Sequence, residues 1–234
     1  MIIGGLQRFS LLDYPKEMSA IVFTQGCNFR CPYCHNPELV LPSKYAEPIS
    51  EKDVFSFLKS RIGKLSAVVV TGGEPTLQDG LCDFLKQVKE LGFKIKLDTN
   101  GSRPEVLAKL IHAGLIDYFA MDIKAPLNNY HTMCNADINP SDILRSMELI
   151  RLSGVQYEFR TTVMPEILSS NALEEIRILL KAGDRYYLQP CSYSTTLDGI
   201  EPVDFGVQDW QNSVKYRDLH SWAEENRVLL ELRG

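Results

Sequence analysis

Short, β-branched apolar runs alternate with amphipathic stretches along this chain, and that alternation constrains the fold more than any other feature. The runs are Ser19 to Thr24, Ser66 to Thr71, Phe93 to Thr99, Asp117 to Asp122, Tyr157 to Val163 and Arg185 to Gln189. Each has strand length and the residue types that fill a buried pleated surface. Strand followed by helix followed by strand implies right-handed crossovers and a parallel sheet.

The intervening stretches carry helix signals. Ser50 and Asp53 form a capping box ahead of Val54, Phe57, Leu58 and Ile62 on one face. A second helix runs from about Leu77 through Leu81, Leu85 and Val88 to a stop at Gly92, and a third opens with Ser102, Pro104 and Glu105 and ends at Gly114. Asn171 with Glu174 opens another that ends at Gly183. Periodicity does not choose between a doubly wound open sheet and a curved partial barrel, but both place chemistry at the C-terminal ends of the strands.

The chain of 234 residues suffices for one large α/β domain, and falls short of the roughly 250 of an ordinary eight-unit barrel. No low-complexity linker divides it, so residues 1–234 read as one domain, with a core of about 18–190 and a motif-free C-terminal extension of about 191–234. A net charge of -5 without a basic stripe argues against nucleic-acid binding. No basic leader precedes an apolar run, and no segment approaches the roughly 20 apolar residues that span a bilayer. The expectation is a soluble cytoplasmic protein with no membrane partner.

Of the six cysteines, three fall within GCNFRCPYCHNPE, Gly26 to Glu38. Such clustering in a cytosolic-looking chain points to metal binding or catalysis rather than to a disulfide framework. Thiolates this close can converge on one small cluster. A four-iron cubane would use three of them and leave one iron open, and a zinc site completed by His35 or a distant cysteine is the alternative. Cys82, Cys134 and Cys191 are isolated in sequence, which argues against an auxiliary cluster; His112, His131 and His220 read as solvated.

The other unusual residues also follow predicted strands: GGEP the second, DTNG the third, Asp122 and Lys124 the fourth, with Arg160 in the fifth and Gln189 ending the sixth. CNFRCPYC, with Tyr33 before its last cysteine, followed by TGGEP at Thr71 to Pro75, resembles the radical S-adenosylmethionine superfamily. CHNPE at Cys34 to Glu38, DTNG at Asp98 to Gly101 and MDIK at Met121 to Lys124 narrow the resemblance to activases of glycyl-radical enzymes. The opening GLQRFSLLDYP with FTQGCNFRCPYCHNPEL is similar to the anaerobic ribonucleoside-triphosphate reductase activating proteins, over about residues 4 to 190.

This resemblance implies an incomplete (β/α)6 TIM-like barrel of parallel strands with outer helices. It implies that Cys27, Cys31 and Cys34 bind a 4Fe-4S cluster whose open iron is chelated by S-adenosylmethionine, and that reductive cleavage yields a 5'-deoxyadenosyl radical that abstracts hydrogen from a partner's glycine. Gly72, Gly73, Glu74 and Pro75 would meet the methionine moiety, with Tyr33 beside the cluster. Asp98, Thr99 and Asn100 suit ribose hydroxyls or the methionine moiety. In some activases matching residues, with the match of Asp122, bind a monovalent cation near the carboxylate.

Lys124 and Arg160 would meet the cofactor carboxylate, and Gln189 would face the pocket. Val163 and Met164 could pack against adenine or simply fill the core. The implied partners are a glycyl-radical enzyme, namely anaerobic ribonucleotide reductase, and reduced flavodoxin or ferredoxin as electron donor. The long loop Pro126 to Pro140 lies on the active-site side, where it would touch the partner protein. Two other readings stay open: a radical enzyme acting on a small molecule such as a nucleoside precursor, and a non-catalytic electron-transfer or zinc-stabilised protein.

Overall fold

The six predicted strands form in register as parallel neighbours, flanked by two more. The computed structural model describes residues 1–164, 170–191, 196–197 and 207–233. Its strands are β1 (Ile3–Ser10), β2 (Ser19–Thr24), β3 (Ala67–Gly72), β4 (Lys94–Thr99), β5 (Tyr118–Asp122), β6 (Gln156–Val163), β7 (Arg185–Pro190) and β8 (Leu229–Leu232), joined in that order in one sheet. β1 is antiparallel to β2, and all later pairs are parallel.

The helices are α1 (Pro37–Val40), α2 (Glu51–Lys59), α3 (Leu81–Glu90), α4 (Pro104–His112), α5 (Tyr130–Cys134), α6 (Pro140–Leu152), α7 (Ser170–Arg177), α8 (Val207–Asn212) and α9 (Val214–Glu225). Ser50 caps α2 as predicted, accepting from the Asp53 amide. The buried face differs from the sequence reading: α2 ends at Lys59, so Ile62 lies beyond it and is exposed, and Phe55 joins Val54 and Leu58 inside. The α4 cap also differs, because Arg103 rather than Ser102 precedes Pro104 and no side chain bonds the first turn. Among the described residues no helix is long and apolar enough to cross a membrane.

Alternate strand residues face opposite layers, and the two layers differ in chemistry. On β3 and β4, Val68, Val70, Ile95 and Leu97 belong to the large core beneath the helices. Ala67 and Val69 instead meet Ile21, Tyr14 and Tyr118 in a separate inner cluster. Residues of β2, β3 and β5 share this inner cluster, as they do on the concave face of a curved sheet, the partial barrel. Tyr14, from the loop after β1, plugs its lower end against Tyr118, with ring centroids 5.6 Å apart.

β8 was not legible in the sequence, yet it contributes to closing the interior. Arg233 at its end donates two hydrogen bonds to the fully buried Glu158, at 2.8 and 3.0 Å, and lies 3.8 Å from the Tyr187 ring centroid. On the outer side, buried Asp184 accepts from Arg151 Nε and Nη2 (3.0 and 2.7 Å), from Tyr157 (2.8 Å) and from the Lys181 amide (2.8 Å). It thereby fastens α6 and β6 to the turn before β7. Asp184→Ala would leave the partly buried Arg151 guanidinium with only the Glu148 carboxylate and the Leu179 carbonyl as partners, and should lower the unfolding free energy measured in urea by about 1.5 to 3 kcal/mol.

Candidate functional site

A cavity of about 370 Å³ opens at the C-terminal ends of the strands, lined by residues from the loop after β2 round to Gln189 on β7. Every site residue expected from the sequence lines it except Pro75. Pro75 is buried at the start of a short turn, 75–77, behind the cavity wall. Val163 and Met164 lie in the outer core rather than on the wall. The structure adds Asp13, Phe29, Asn36, Val40, Thr71 and Thr162. Asp13 stands in the LLDYP segment, which carried the resemblance but gave no chemical signal of its own.

The loop bearing the three cysteines is held by the strand ends beside it. Gly73 N donates to Thr24 O (2.9 Å) and Glu74 N to Gly26 O (2.7 Å), so the GGEP backbone is stitched to the chain entering Cys27. A Cβ at Gly73 would overlap the Gly26 carbonyl, and one at Gly72, whose φ is +120, would overlap the Thr24 backbone. Space for this close approach of two backbones is the reason for two glycines here.

Glu74 is the bracket behind them. Its buried carboxylate accepts from the Thr76 amide and hydroxyl, from Thr99 Oγ1 (2.8 Å) and from the Asn100 amide (2.7 Å). Burial raises its pKa, and the four donors oppose that shift. Asn100 Nδ2 reaches Asn28 Oδ1 (3.0 Å), and Asn28 Nδ2 reaches Ser102 Oγ (2.9 Å), tying the cysteine loop to the end of β4.

On the far side the loop rests on α5. The Arg30 amide donates to Cys134 O (2.7 Å), Phe29 meets the Tyr130 ring edge-on, and Tyr33 donates its hydroxyl to Lys124 O (3.2 Å). Tyr130 in turn accepts from the Lys124 amide (3.0 Å). The segment Pro126 to Pro140 therefore supports the cysteine loop from beneath through Tyr130 and Cys134. Cys134 and Cys191, isolated in sequence, also come close: the free Cys134 thiol lies within hydrogen-bonding reach of Cys31, and Cys191 Sγ lies 3.2 Å from His35 Nε2.

Cys27, Cys31 and Cys34 are free thiols on one cavity wall. Burial pushes the Cys27 thiol up to about 12, and the charges of Glu74, Cys31 and Cys34 push in the same direction. Three thiolates here need a strongly positive centre. Among the described residues no three His, Cys, Asp or Glu side chains gather round a single ion. Three free thiols on one cavity wall suit a cluster in which each binds its own iron. The residues fit an iron-sulfur cluster better than a zinc ion completed by His35.

Opposite the thiols lies a buried ladder of charge from β4, β5 and β6. Lys96 Nζ donates to Asp98 Oδ1 (2.7 Å), Arg160 Nη1 to Asp98 Oδ2 (3.2 Å), Arg160 Nε to Asp122 Oδ1 (2.8 Å) and Lys124 Nζ to Asp122 Oδ2 (2.9 Å). Burial works to raise both carboxyls, but Arg160 with Lys96 or Lys124 outweighs it and holds both below the usual range. Each of the four carboxylate oxygens already accepts from a cationic donor, and three cations face two carboxylates, an arrangement that disfavours the monovalent cation implied by the resemblance.

Residues 21–177, about two-thirds of the chain, match the Radical SAM superfamily profile. A Methanocaldococcus jannaschii protein provisionally named a glycyl-radical enzyme activating enzyme is 37% identical over 80% of this chain and 79% of its own. The pyruvate formate-lyase-activating enzyme of Clostridium pasteurianum is 35% identical over 98% and 94%. A 7-carboxy-7-deazaguanine synthase of Methanopyrus kandleri is 30% identical over 76% and 75%. Streptococcus suis SuiB bound to S-adenosylmethionine shares the fold, with a TM-score of 0.63 and 18% identity over 92% of this chain; the chain spans about half, 49%, of that structure.

Two outcomes test this geometry. Gly73→Ala should lose most of its iron on anaerobic reconstitution, read as iron per protein, because the added methyl displaces the segment entering Cys27. Asp122, held below its unfolded pKa, contributes stability that is present above about pH 4 and lost as pH falls through the lower folded value. The urea midpoint should therefore fall less steeply below about pH 5 in Asp122→Asn than in the parent chain.

The profile match, the curated relatives and the three-cysteine wall agree: this chain belongs to the radical SAM superfamily, in the branch of the glycyl-radical enzyme activating enzymes.

Proposed function

We propose that the chain installs a glycyl radical on a partner enzyme, anaerobic ribonucleoside-triphosphate reductase, with reduced flavodoxin or ferredoxin as electron donor. When bound, a 4Fe-4S cluster with S-adenosylmethionine supplies one-electron cleavage of the sulfonium and a 5'-deoxyadenosyl radical. The protein's share is to bind, orient and exclude water.

Cys27, Cys31 and Cys34 would hold the cluster, with Tyr33 fixing the loop against Lys124. The backbone at Gly72 and Gly73 would meet the cofactor's ammonium, and Lys124 and Arg160 its carboxylate. Thr99 and Asn100 would serve the ribose or the methionine moiety, and Gln189 would face the cofactor from β7. Glu74 acts through Thr99 and Asn100 as a positioning residue.

Cavity size carries the choice of substrate. About 370 Å³ lies near the lower end of the volumes that enclose one drug-sized ligand. A cluster and its cofactor would fill much of such a space, which favours a substrate that approaches from the mouth. A chain segment bearing the target glycine can do so, whereas a separate small molecule would need a second compartment. The relative named for 7-carboxy-7-deazaguanine synthesis keeps the small-molecule reading as the alternative.

The test is anaerobic reconstitution with reductant, S-adenosylmethionine and the reductase carrying deuterated glycine. The expected result is a glycyl radical signal on the reductase, deuterium in 5'-deoxyadenosine, and loss of both in Cys31→Ala. Cofactor cleavage stimulated by a purine precursor and not by the protein would overturn the reading.

A further inference from the structure

We infer that Arg160 is the built-in counter-cation of the site, so that this chain binds S-adenosylmethionine without an alkali-metal ion. The inference rests on the reading that the cofactor occupies the cavity, and goes beyond it by assigning what neutralises the acidic pair there.

The arrangement is a count of oxygens and donors. Asp98 and Asp122 present four carboxylate oxygens, and Lys96, Arg160 twice, and Lys124 supply a cationic donor to each. The Arg160 guanidinium spans the two acids, with its side chain only 11% exposed. A planar fork with several donors suits this bridging, which a lysine ammonium at the same place would not match. Glu158 lies 4.0 Å from Arg160, but its oxygens are already taken by Arg233 and Tyr118.

Three cations against two carboxylates leave one positive charge in the set. An alkali ion would add a further positive charge, and every carboxylate oxygen it could bind already accepts a hydrogen bond from a cationic donor. The carboxylate of S-adenosylmethionine has the opposite sign and one unit of charge. Lys124 and Arg160 both line the cavity, whereas Lys96 lies behind Asp98 and is not on the wall. The donors facing the cofactor are thus the Lys124 ammonium and the Nη2 group of Arg160, which among the described residues meets no acceptor, its Nε and Nη1 being taken by Asp122 and Asp98. Arg160 is accordingly a cofactor-binding and charge-setting residue in the ground state.

The test measures cofactor binding directly. Isothermal titration of the reconstituted holoprotein with S-adenosylmethionine is run in potassium, sodium and choline chloride at equal ionic strength. The expected affinities are the same in all three. A bound cation coupled to cofactor binding would change affinity by roughly 5- to 150-fold, and a potassium or sodium preference of that size in the parent chain would overturn the inference.

Arg160→Gln frees Asp98 Oδ2 and Asp122 Oδ1 toward one gap, and its affinity should become potassium- or sodium-dependent in that range. A folded Arg160→Gln protein that binds the cofactor equally in all three salts would also overturn it. Sodium-23 line broadening of the parent holoprotein needs no variant: broadening that appears only with S-adenosylmethionine and is displaced by potassium counts against the inference. Absence of cofactor binding in every salt would instead refute the function itself.

Discussion

The charge ladder inside the half-barrel is the constraint to which the rest of the site is fitted. Lys96, Asp98, Asp122, Lys124 and Arg160 are side chains of neighbouring strands and their ends, and each is too buried to remain charged alone. They are stable as a set because every acidic oxygen meets a donor, and that set forms only when β4, β5 and β6 hold their observed register. A slip of one residue would send the charges into the apolar layer beneath the helices. The same ions that specify the register therefore shape the electrostatic wall of the cavity.

Facing that wall, the cysteine loop has little secondary structure of its own and borrows its shape from its surroundings. The GGEP backbone holds its entrance, Asn28 and Asn100 hold its near side, and Tyr33 with the α5 support holds its far side. Rigidity imposed from three directions is what a site needs if three thiolates are to meet a preformed cluster. Glu74 shows how indirect this can be: it lines the cavity, yet its carboxylate bonds Thr76, Thr99 and Asn100 of the protein itself.

Much of this was readable from residue types alone. Strands β2 to β7 stood out because each is a β-branched or aromatic run bounded by turn residues. The helix cap at Ser50 followed from local chemistry, as did the glycine stops, several of which adopt positive φ. β1 did not, because Gly4, Gly5, Gln7 and Arg8 interrupt its apolar pattern, and β8 did not, because LLEL is four residues long. Asp13 was hidden for another reason: its place on the cavity wall depends on a loop that folds back under the barrel behind Tyr14.

The sequence by itself determined the succession of parallel strands along the chain, the end of the sheet at which chemistry collects, and the three thiols with their glycine-rich neighbour. These depend on periodicity and short-range spacing, which the chain carries locally. Only the tertiary structure decided what those residues touch. It set Cys134 against Cys31, turned Pro126 to Pro140 into a support, and made Arg160 the bridge between Asp98 and Asp122. Each of these joins groups far apart in the chain, and which carboxylate a buried cation neutralises is fixed by strand register and sheet curvature rather than by its neighbours in sequence.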